Sequence, residues 1–124
     1  MWEEPLRNGR CILPAATFFE PHETQTTVNP KTGRTVKRQF EFSLPDEEPL
    51  LLASVSQDGK LSVVTTKPNE SVAPIHGRMP LALRFEEVQA WLEGDYDALA
   101  DRSGIDLSVN PEEPEVDPSQ LSLF

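Results

Sequence analysis

Residues 50–66 read LLLASVSQDGKLSVVTT. The runs Leu50 to Ser56 and Leu61 to Thr66 are apolar and rich in β-branched side chains, which favours strands. They are joined by Gln57-Asp58-Gly59-Lys60, and Asp-Gly between two such runs favours a type I′ turn. The stretch therefore predicts an antiparallel hairpin, and this hairpin predicts an antiparallel sheet as the basis of the fold.

The sequence before this hairpin also predicts strands. Residues 39–44, QFEFSL, alternate between polar and apolar side chains, a pattern typical of a half-buried strand. Residues 29–33, NPKTG, are a dense turn signal with Thr and Val on both flanks, which predicts a second hairpin. The apolar segments 10–13 and 17–19 are separated by Pro14, which predicts a strand with a break at the proline.

The hydrophobic period changes after Met79-Pro80 and becomes helical. Two short helices are predicted, the first ending at Gly94 and the second running from Asp95 to Arg102. The chain as a whole predicts an α+β fold, mostly antiparallel sheet with one or two short C-terminal helices and a disordered acidic tail. The apolar face of the first helix consists of Phe85, Val88, Trp91 and Leu92, and we expect Trp91 in the core.

Acidic residues are concentrated towards the C-terminal end. Residues 86–124 contain eleven of the 21 acidic residues and one of the 11 basic residues, so they account for the whole net charge of −10. The first 85 residues are neutral overall, so the acidic composition does not exclude a polyanion site there. Prolines alternate with acids near the end. We predict a domain over residues 1–104, an acidic Pro-rich linker over 105–119 and a terminal peptide over 120–124.

Composition limits the class of protein. The chain has 124 residues, of which 37% are hydrophobic and 26% charged, enough for one domain with a modest core. No apolar run approaches the roughly 20 residues of a membrane helix, and the start, Met1-Trp2-Glu3-Glu4, lacks the pattern of a signal peptide. One cysteine, Cys11, excludes an internal disulfide and a multi-cysteine zinc site, and it predicts a cytoplasmic protein. We expect Cys11 to be a core thiol.

Two segments carry a candidate acid–base pair. In residues 10–20, RCILPAATFFE, the carboxylate of Glu20 follows an apolar strand, and in residues 73–80, APIHGRMP, His76 lies on a loop bounded by prolines. A carboxylate at a strand end and a histidine on a constrained loop are typical of acid–base catalysis. The residues alone leave a second interpretation open, in which Glu20 is solvated or salt-bridged and His76 is structural or exposed.

Basic side chains offer candidate phosphate sites. Arg78, next to the loop histidine, can hold a phosphate together with threonines such as Thr65. A second basic set surrounds the predicted hairpin at residues 29–33, where it either contacts a DNA backbone or forms a solvated face. This set consists of Lys31, Arg34, Lys37 and Arg38.

The two segments resemble the signature of the SRAP family, the SOS response-associated peptidases that act on abasic sites in single-stranded DNA. The signature has the form R-C-L-I-P-A-x-G-F-Y-E, followed by T-T-x-A-N and P-x-H-D-R-M-P. The corresponding stretches are residues 10–20, 65–69 and 74–80. The resemblance covers roughly residues 8–93 and corresponds to the back half of the family's domain.

The resemblance implies both a chemistry and a set of roles. In the family, the amine and thiol of an N-terminal cysteine condense with the ring-opened abasic sugar, giving a thiazolidine crosslink; self-removal of the leading residue accounts for the name peptidase. By resemblance, Glu20 would shuttle protons, His76 would assist opening and closing of the sugar, and Thr65 and Arg78 would contact DNA. No metal or other cofactor is implied, since imine formation needs only proton transfer and positioning.

The sequence departs from the family pattern at five places, of which two are Thr17 in place of a glycine and Pro21 in place of a tryptophan. Trp2 occupies the position of the family's cysteine, the family's N-A-R-x-E-T stretch has no counterpart before Arg10, and Gly77 replaces the usual aspartate. The resemblance therefore implies a short form without the N-terminal half and the nucleophilic cysteine, with impaired crosslinking. Two alternatives stay open: a non-enzymatic, clamp-tethered adaptor that binds single-stranded DNA, and one half of a split protein that pairs with a separate N-terminal half or with itself.

The last five residues resemble the bacterial sliding-clamp-binding peptide, whose pattern is Q-L-[SD]-L-F. This resemblance implies the DNA polymerase sliding clamp as a partner, with one polar anchor and three apolar side chains in hydrophobic subsites. The other interpretation is a terminal segment that packs on its own domain. The expected contacts are Gln120, Leu121, Leu123 and Phe124.

Overall fold

The computed structural model of the protein describes residues 8–112. Antiparallel strands dominate this part of the chain, which confirms the predicted α+β class. No helix within it is long and apolar enough to cross a membrane. The elements are β1 (Arg10–Ala15), β2 (Phe18–Val28), β3 (Thr35–Ser43), β4 (Leu50–Gln57), β5 (Lys60–Val63), β6 (Thr65–Thr66), β7 (Met79–Pro80), β8 (Ala82–Leu83), α1 (Val88–Glu93) and β9 (Ser108–Pro111), with 3₁₀ turns at Phe85–Glu87 and Asp97–Leu99.

Strand β4 is the centre of the first sheet, where it pairs with β1, β5 and β8. The predicted β4–β5 hairpin is confirmed: Asp58 and Gly59 have φ angles of 53° and 76°, as a type I′ turn requires. The second apolar run of the hairpin is divided at Val64. The Val64 N–H donates to Ala53, whereas its carbonyl accepts from Leu81, so the chain leaves β4 here and continues as β6 beside β7.

The second sheet has the order β2-β3-β9. Its β2–β3 hairpin confirms the predicted turn at residues 29–33, and the alternation in β3 buries Phe40 and Phe42, as expected for a half-buried strand. The predicted break at Pro14 is wrong, because Pro14 lies within β1, opposite Leu51. Strand β1 lies at an edge, where a proline removes no ladder hydrogen bond on the open side. The chain breaks instead between β1 and β2.

The core lies between the two sheets and extends under α1. Phe18 and Phe42 stack with ring centroids 5.0 Å apart. On the other side of the first sheet, Trp91 of α1 is buried, as expected, and its indole N–H donates to the Cys11 carbonyl at 2.9 Å. Cys11 itself is partly buried on β1. These contacts hold α1 against β1.

The helical region is shorter than the sequence predicts. Helix α1 begins at Val88, because Phe85 belongs to a 3₁₀ turn and is 84% exposed. The helix ends at Glu93 and is capped by Gly94, which has a φ of 77° and a left-handed conformation. The predicted second helix from Asp95 to Arg102 is wrong, since only the 3₁₀ turn at Asp97–Leu99 forms there. Its buried Leu99 fixes this single turn in the core.

The predicted linker over residues 105–119 is wrong at its start. Ile105 and Leu107 are buried, and Ser108–Pro111 forms β9 on the open edge of β3. The physical reason is that β3 offers unpaired backbone groups, which this segment satisfies. The remaining residues of the predicted linker, 113–119, and the predicted terminal peptide, 120–124, lie outside the described residues.

Candidate acid–base site

The site forms where the loop between β6 and β7 lies against β2. Three contacts hold the loop there. The Glu23 N–H donates to the Ile75 carbonyl at 2.9 Å, and the Gly77 N–H donates to Glu23 Oε1 at 2.8 Å. Ile75 is also buried in the core. These contacts place His76 over the beginning of β2, where Glu20 lies.

Asn69 organises the start of the same loop. Its Nδ2 donates to the carbonyls of Arg102 and Ile105 at 3.0 and 2.9 Å, and its Oδ1 accepts from the Ser71 N–H at 3.0 Å. The backbone carbonyl of Asn69 accepts from the N–H groups of Val72 and Ala73. One side chain therefore connects the loop to the segment before β9, far away in sequence.

Glu20 and His76, which the sequence analysis named as a candidate acid–base pair, are in direct contact. Glu20 Oε2 lies 3.4 Å from His76 Nε2, and His76 Nδ1 lies 3.0 Å from the carbonyl oxygen of Pro21. A carbonyl can only accept a hydrogen bond, so Nδ1 must carry a proton and donate it. The nitrogen that faces Glu20 is therefore Nε2, and a proton between the two groups can reside on either of them.

Burial sets the proton affinity of this pair. The Glu20 side chain is 17% exposed, and desolvation by burial raises the pKa of its carboxyl group. The nearby His76 lowers that pKa, but by less, so the result is a raised value. Glu20 therefore keeps its proton to a higher pH than an ordinary glutamate. The contact between the two side chains gives a path along which a proton can pass from one to the other.

A second pair lies two residues further along the loop. One terminal nitrogen of Arg78 donates to the carbonyl oxygen and to Oγ1 of Thr65, at 3.1 and 3.0 Å. The pairing of Thr66 with Met79 in β6 and β7 brings these two residues together. Both Arg78 and Thr65 are exposed. The guanidinium group has further N–H donors, so it can bind a phosphate oxygen while it stays attached to Thr65.

The structure thus brings the four predicted residues of the domain into two pairs, Glu20–His76 and Thr65–Arg78, each with one member on the loop between β6 and β7. Their roles stay predictions. The predicted contacts of the terminal peptide, from Gln120 to Phe124, lie outside the described residues.

Sequence reasoning missed the groups that position the imidazole. Glu23 Oε1 lies 3.6 Å from His76 Nδ1, and the Pro21 carbonyl determines which nitrogen carries the proton. The position of Glu23, three residues after Glu20, was a weak signal. A backbone carbonyl gives no sequence signal.

The structure also has two clefts away from the candidate site, and neither Glu20 nor His76 lines them. One, of about 580 Å³, includes Lys67 and Arg102 in its walls, and the other, of about 540 Å³, includes Leu44 and Phe85. Within residues 8–112, no three His, Cys, Asp or Glu side chains are grouped so that they could hold a metal ion.

Comparison with known proteins identifies the family. The family model for the SOS response associated peptidases (SRAP) matches residues 1–117. The chain belongs to this family. SRAP relatives include the abasic site processing proteins YoqW and YobE of Bacillus subtilis (strain 168), both 30% identical, over 104 and 100 residues. The matches cover 73% of this chain and 41% and 42% of the two relatives. The chain spans about two fifths of the length of the curated relatives that it matches.

Solved structures show the same fold. A crystal structure of a protein from Bacteroides thetaiotaomicron superposes on this SRAP chain with a TM-score of 0.64, at 21% identity, over 89% of this chain and 52% of that one. A protein from Bordetella bronchiseptica gives a TM-score of 0.61 at 18% identity, over 85% and 55% of the two chains. The predicted partial SRAP-like β core is therefore confirmed.

The structure shows the surroundings of Gly77, one of the positions at which this chain differs from the SRAP pattern. Gly77 stands where the family pattern has aspartate, and its backbone N–H binds Glu23 Oε1. A Cβ at position 77 would lie 3.2 Å from that oxygen. In this chain the Glu23 carboxylate thus comes close to the backbone of the residue that replaces the aspartate.

Proposed function

We propose that this SRAP protein recognises abasic sites in single-stranded DNA and promotes opening of the abasic sugar ring. One observation carries the proposal: the contact of 3.4 Å between Glu20 Oε2 and His76 Nε2. The names of the relatives support the substrate, since YoqW and YobE are called abasic site processing proteins. The raised pKa of Glu20 supports the role of a proton donor, because burial favours the protonated carboxyl group.

The proposed reaction needs one acid and one base. An abasic sugar is a cyclic hemiacetal in equilibrium with its open-chain aldehyde. His76 Nε2 takes the proton of the C1′ hydroxyl, the C1′–O4′ bond breaks as the C1′ carbonyl forms, and the Glu20 carboxyl group delivers its proton to O4′. The proton bound to His76 then returns to Glu20 across their contact, which regenerates the pair. Closing of the ring follows the same path in reverse.

Arg78 and Thr65 hold the strand in this proposal. The guanidinium group binds a phosphate next to the lesion, while its bonds to Thr65 limit its motion. Arg78 lies two residues after His76 on the loop between β6 and β7. A phosphate bound there therefore keeps the neighbouring sugar near Glu20 and His76.

The test measures the open-chain aldehyde with an aminooxy reagent, which forms a stable oxime with it. The protein is expected to accelerate oxime formation on an abasic single-stranded oligonucleotide, and His76→Ala is expected to lower this acceleration about 100-fold or more. Added imidazole should restore part of the rate, because it replaces the missing base. Acceleration that is unchanged in His76→Ala, or absent in the wild-type protein, would overturn the proposed chemistry.

A non-enzymatic adaptor is the second candidate, because the one cysteine of the 124 residues, Cys11, matches the R-C position of the family signature and not the position of the reactive cysteine. Incubation with the same oligonucleotide, with and without borohydride, separates the possibilities. A band that needs borohydride indicates a reversible imine between an amine of the protein and the aldehyde. No band in either lane, together with no acceleration of oxime formation, identifies an adaptor. A stable band without borohydride contradicts the expected loss of crosslinking.

We also propose that residues 120–124 bind the sliding clamp. The support is the sequence Gln120-Leu121-Ser122-Leu123-Phe124, which matches the clamp-binding pattern. Deletion of these five residues is expected to abolish binding to the purified clamp in calorimetry, because the apolar anchors carry most of the energy of such a peptide. A change of Ser122 to Asp, which the pattern allows, is the control and should leave binding intact. Equal affinity of the deletion variant and the full chain would refute clamp binding.

A further inference from the structure

The β2–β3 hairpin carries an unusual charge for this chain. Residues 24–39, called the basic arm below, contain four basic residues and no acidic residue, whereas the net charge of the whole chain is −10. The rest of the chain therefore carries −14. Such segregation places a positive surface on a protein that otherwise repels polyanions. The four basic residues are Lys31, Arg34, Lys37 and Arg38.

The basic arm is an ordered projection of the second sheet. The register of β2 and β3 shifts between Pro21 and Thr26, which indicates a bulge, and the pairing then resumes from Thr26–Lys37 to Val28–Thr35. His22 closes the bulge, since its Nδ1 accepts hydrogen bonds from two backbone N–H groups of the following residues, at 3.0 and 2.9 Å.

The turn of the basic arm is also ordered. Asn29 Oδ1 accepts from the N–H groups of Lys31 and Thr32, at 2.8 and 3.3 Å. The Gly33 N–H donates to the Asn29 carbonyl at 2.8 Å. These bonds hold the positive charges near the turn in a defined arrangement.

One face of the basic arm continues into the acid–base site. Glu20 of β2 is directly opposite Phe40 of β3, and opposite residues of an antiparallel pair lie on the same face. Arg38, two residues before Phe40, lies on that face too, and its guanidinium carbon is 5.5 Å from the centre of the Phe40 ring. A strand held at Glu20 and His76 can therefore continue over Arg38 towards the turn.

We propose that the basic arm binds the phosphodiester backbone of single-stranded DNA next to the abasic site. The proposal deepens the proposed function and rests on it for the position of the lesion. The arm also contains five threonines, whose hydroxyl groups can donate to phosphate oxygens. Its exposed large apolar residues are Val28 and Val36, at 56% and 40%. Membrane-binding surfaces usually insert Trp, Phe or Leu side chains, so a nucleic acid fits this surface better than a lipid surface does.

The test compares binding to an undamaged single-stranded oligonucleotide by fluorescence anisotropy at several salt concentrations. The triple variant Lys31→Gln, Arg34→Gln, Lys37→Gln keeps Arg38, which packs on Phe40. We expect the affinity of the triple variant at low salt to be lower than that of the wild-type protein by about tenfold or more. The slope of log K against log salt concentration should be shallower by about 2, since each of three lost phosphate contacts contributes about 0.7. The control is Lys60→Gln, which changes an exposed lysine at the β4–β5 turn. It should change the slope by no more than about 0.7, the contribution of one phosphate, and leave the affinity close to that of the wild-type protein.

The possible outcomes separate this proposal from the proposed function. Loss of salt-dependent binding in the triple variant, with oxime formation retained at saturating DNA, supports both. Loss of binding without any oxime acceleration in the wild-type protein supports the basic arm and refutes the chemistry. An unchanged affinity and slope, or an equal loss in Lys60→Gln, overturns the basic arm. If the wild-type protein binds phosphatidylglycerol vesicles more tightly than DNA, the proposal that the basic arm binds DNA is overturned in favour of a membrane partner.

Discussion

Replacing Glu20 by glutamine is expected to slow aminooxy capture of the abasic aldehyde by about 10²–10⁴-fold, the usual contribution of a positioned general acid. Glutamine fills nearly the same volume, but its amide cannot deliver a proton to O4′. The contact with His76 Nε2 at 3.4 Å can then no longer transfer a proton. The measurement is the rate of oxime formation with the protein minus the rate without it.

The pH dependence provides a second readout of the same change. Because burial raises the pKa of Glu20, the fold binds this proton more tightly than the unfolded chain does. The stabilisation from the protonated carboxyl group is thus complete below the unfolded pKa and is lost as pH rises through the raised folded pKa. The free energy of unfolding and the catalysed rate should both decline in this window in the wild-type protein. In Glu20→Gln, both declines should disappear.

Glu41→Gln is the matched control. Glu41 lies on β3 opposite Phe19, and therefore on the other face of the sheet from Glu20. It should leave the oxime rate and its pH dependence unchanged. Equal rates in Glu20→Gln and the wild-type protein would remove the carboxyl group from the mechanism, and equal losses in both variants would indicate a folding defect.

The second large effect is expected in stability, at Glu87. Arg102 is 4% exposed and donates to both carboxylate oxygens of Glu87, at 2.9 and 2.6 Å, and to the Ala82 carbonyl at 2.8 Å. Glu87→Gln leaves a buried guanidinium without its counter-charge. The expected cost is about 3–5 kcal/mol in the free energy of unfolding, measured by urea denaturation. This pair connects the 3₁₀ turn before α1 to the segment that leads into β9.

Acid should weaken the same pair. Burial acts to raise the pKa of Glu87, but the hydrogen bonds and charges of Arg102 and Arg84 outweigh it, so the pKa is lowered. The stability that this carboxylate contributes is present above its unfolded pKa and is lost as pH falls through the lowered folded value. Glu87→Gln should therefore show a smaller loss of stability in acid than the wild-type protein.

Glu86→Gln is the control for this prediction, because Glu86 is the exposed neighbour in the same turn. It should change the free energy of unfolding by less than about 0.5 kcal/mol. Similar small effects of both substitutions would show that the ion pair does not hold this part of the fold.

Local sequence patterns predicted the elements whose stability is local. The β4–β5 turn formed where Asp58 and Gly59 are placed, because a type I′ turn needs two residues that tolerate positive φ. The alternation in β3 identified its buried face, since the period of a strand determines which side chains point inwards. The motif residues Glu20 and His76 were likewise identified from their own segments.

Contacts between distant segments settled the remaining features. Residues 105–111 were predicted as the start of the linker, yet Ile105 and Leu107 are buried and Ser108–Pro111 forms β9, because the open edge of β3 satisfies the backbone groups of this segment. The proton arrangement of His76 depends on the carbonyl of Pro21, 55 residues away. No local pattern contains such information, because hydrogen-bond partners and burial are properties of the assembled sheets. Local propensity and periodicity thus account for most of the strands. Long-range packing accounts for the contacts, burial and proton arrangement of the side chains at the site.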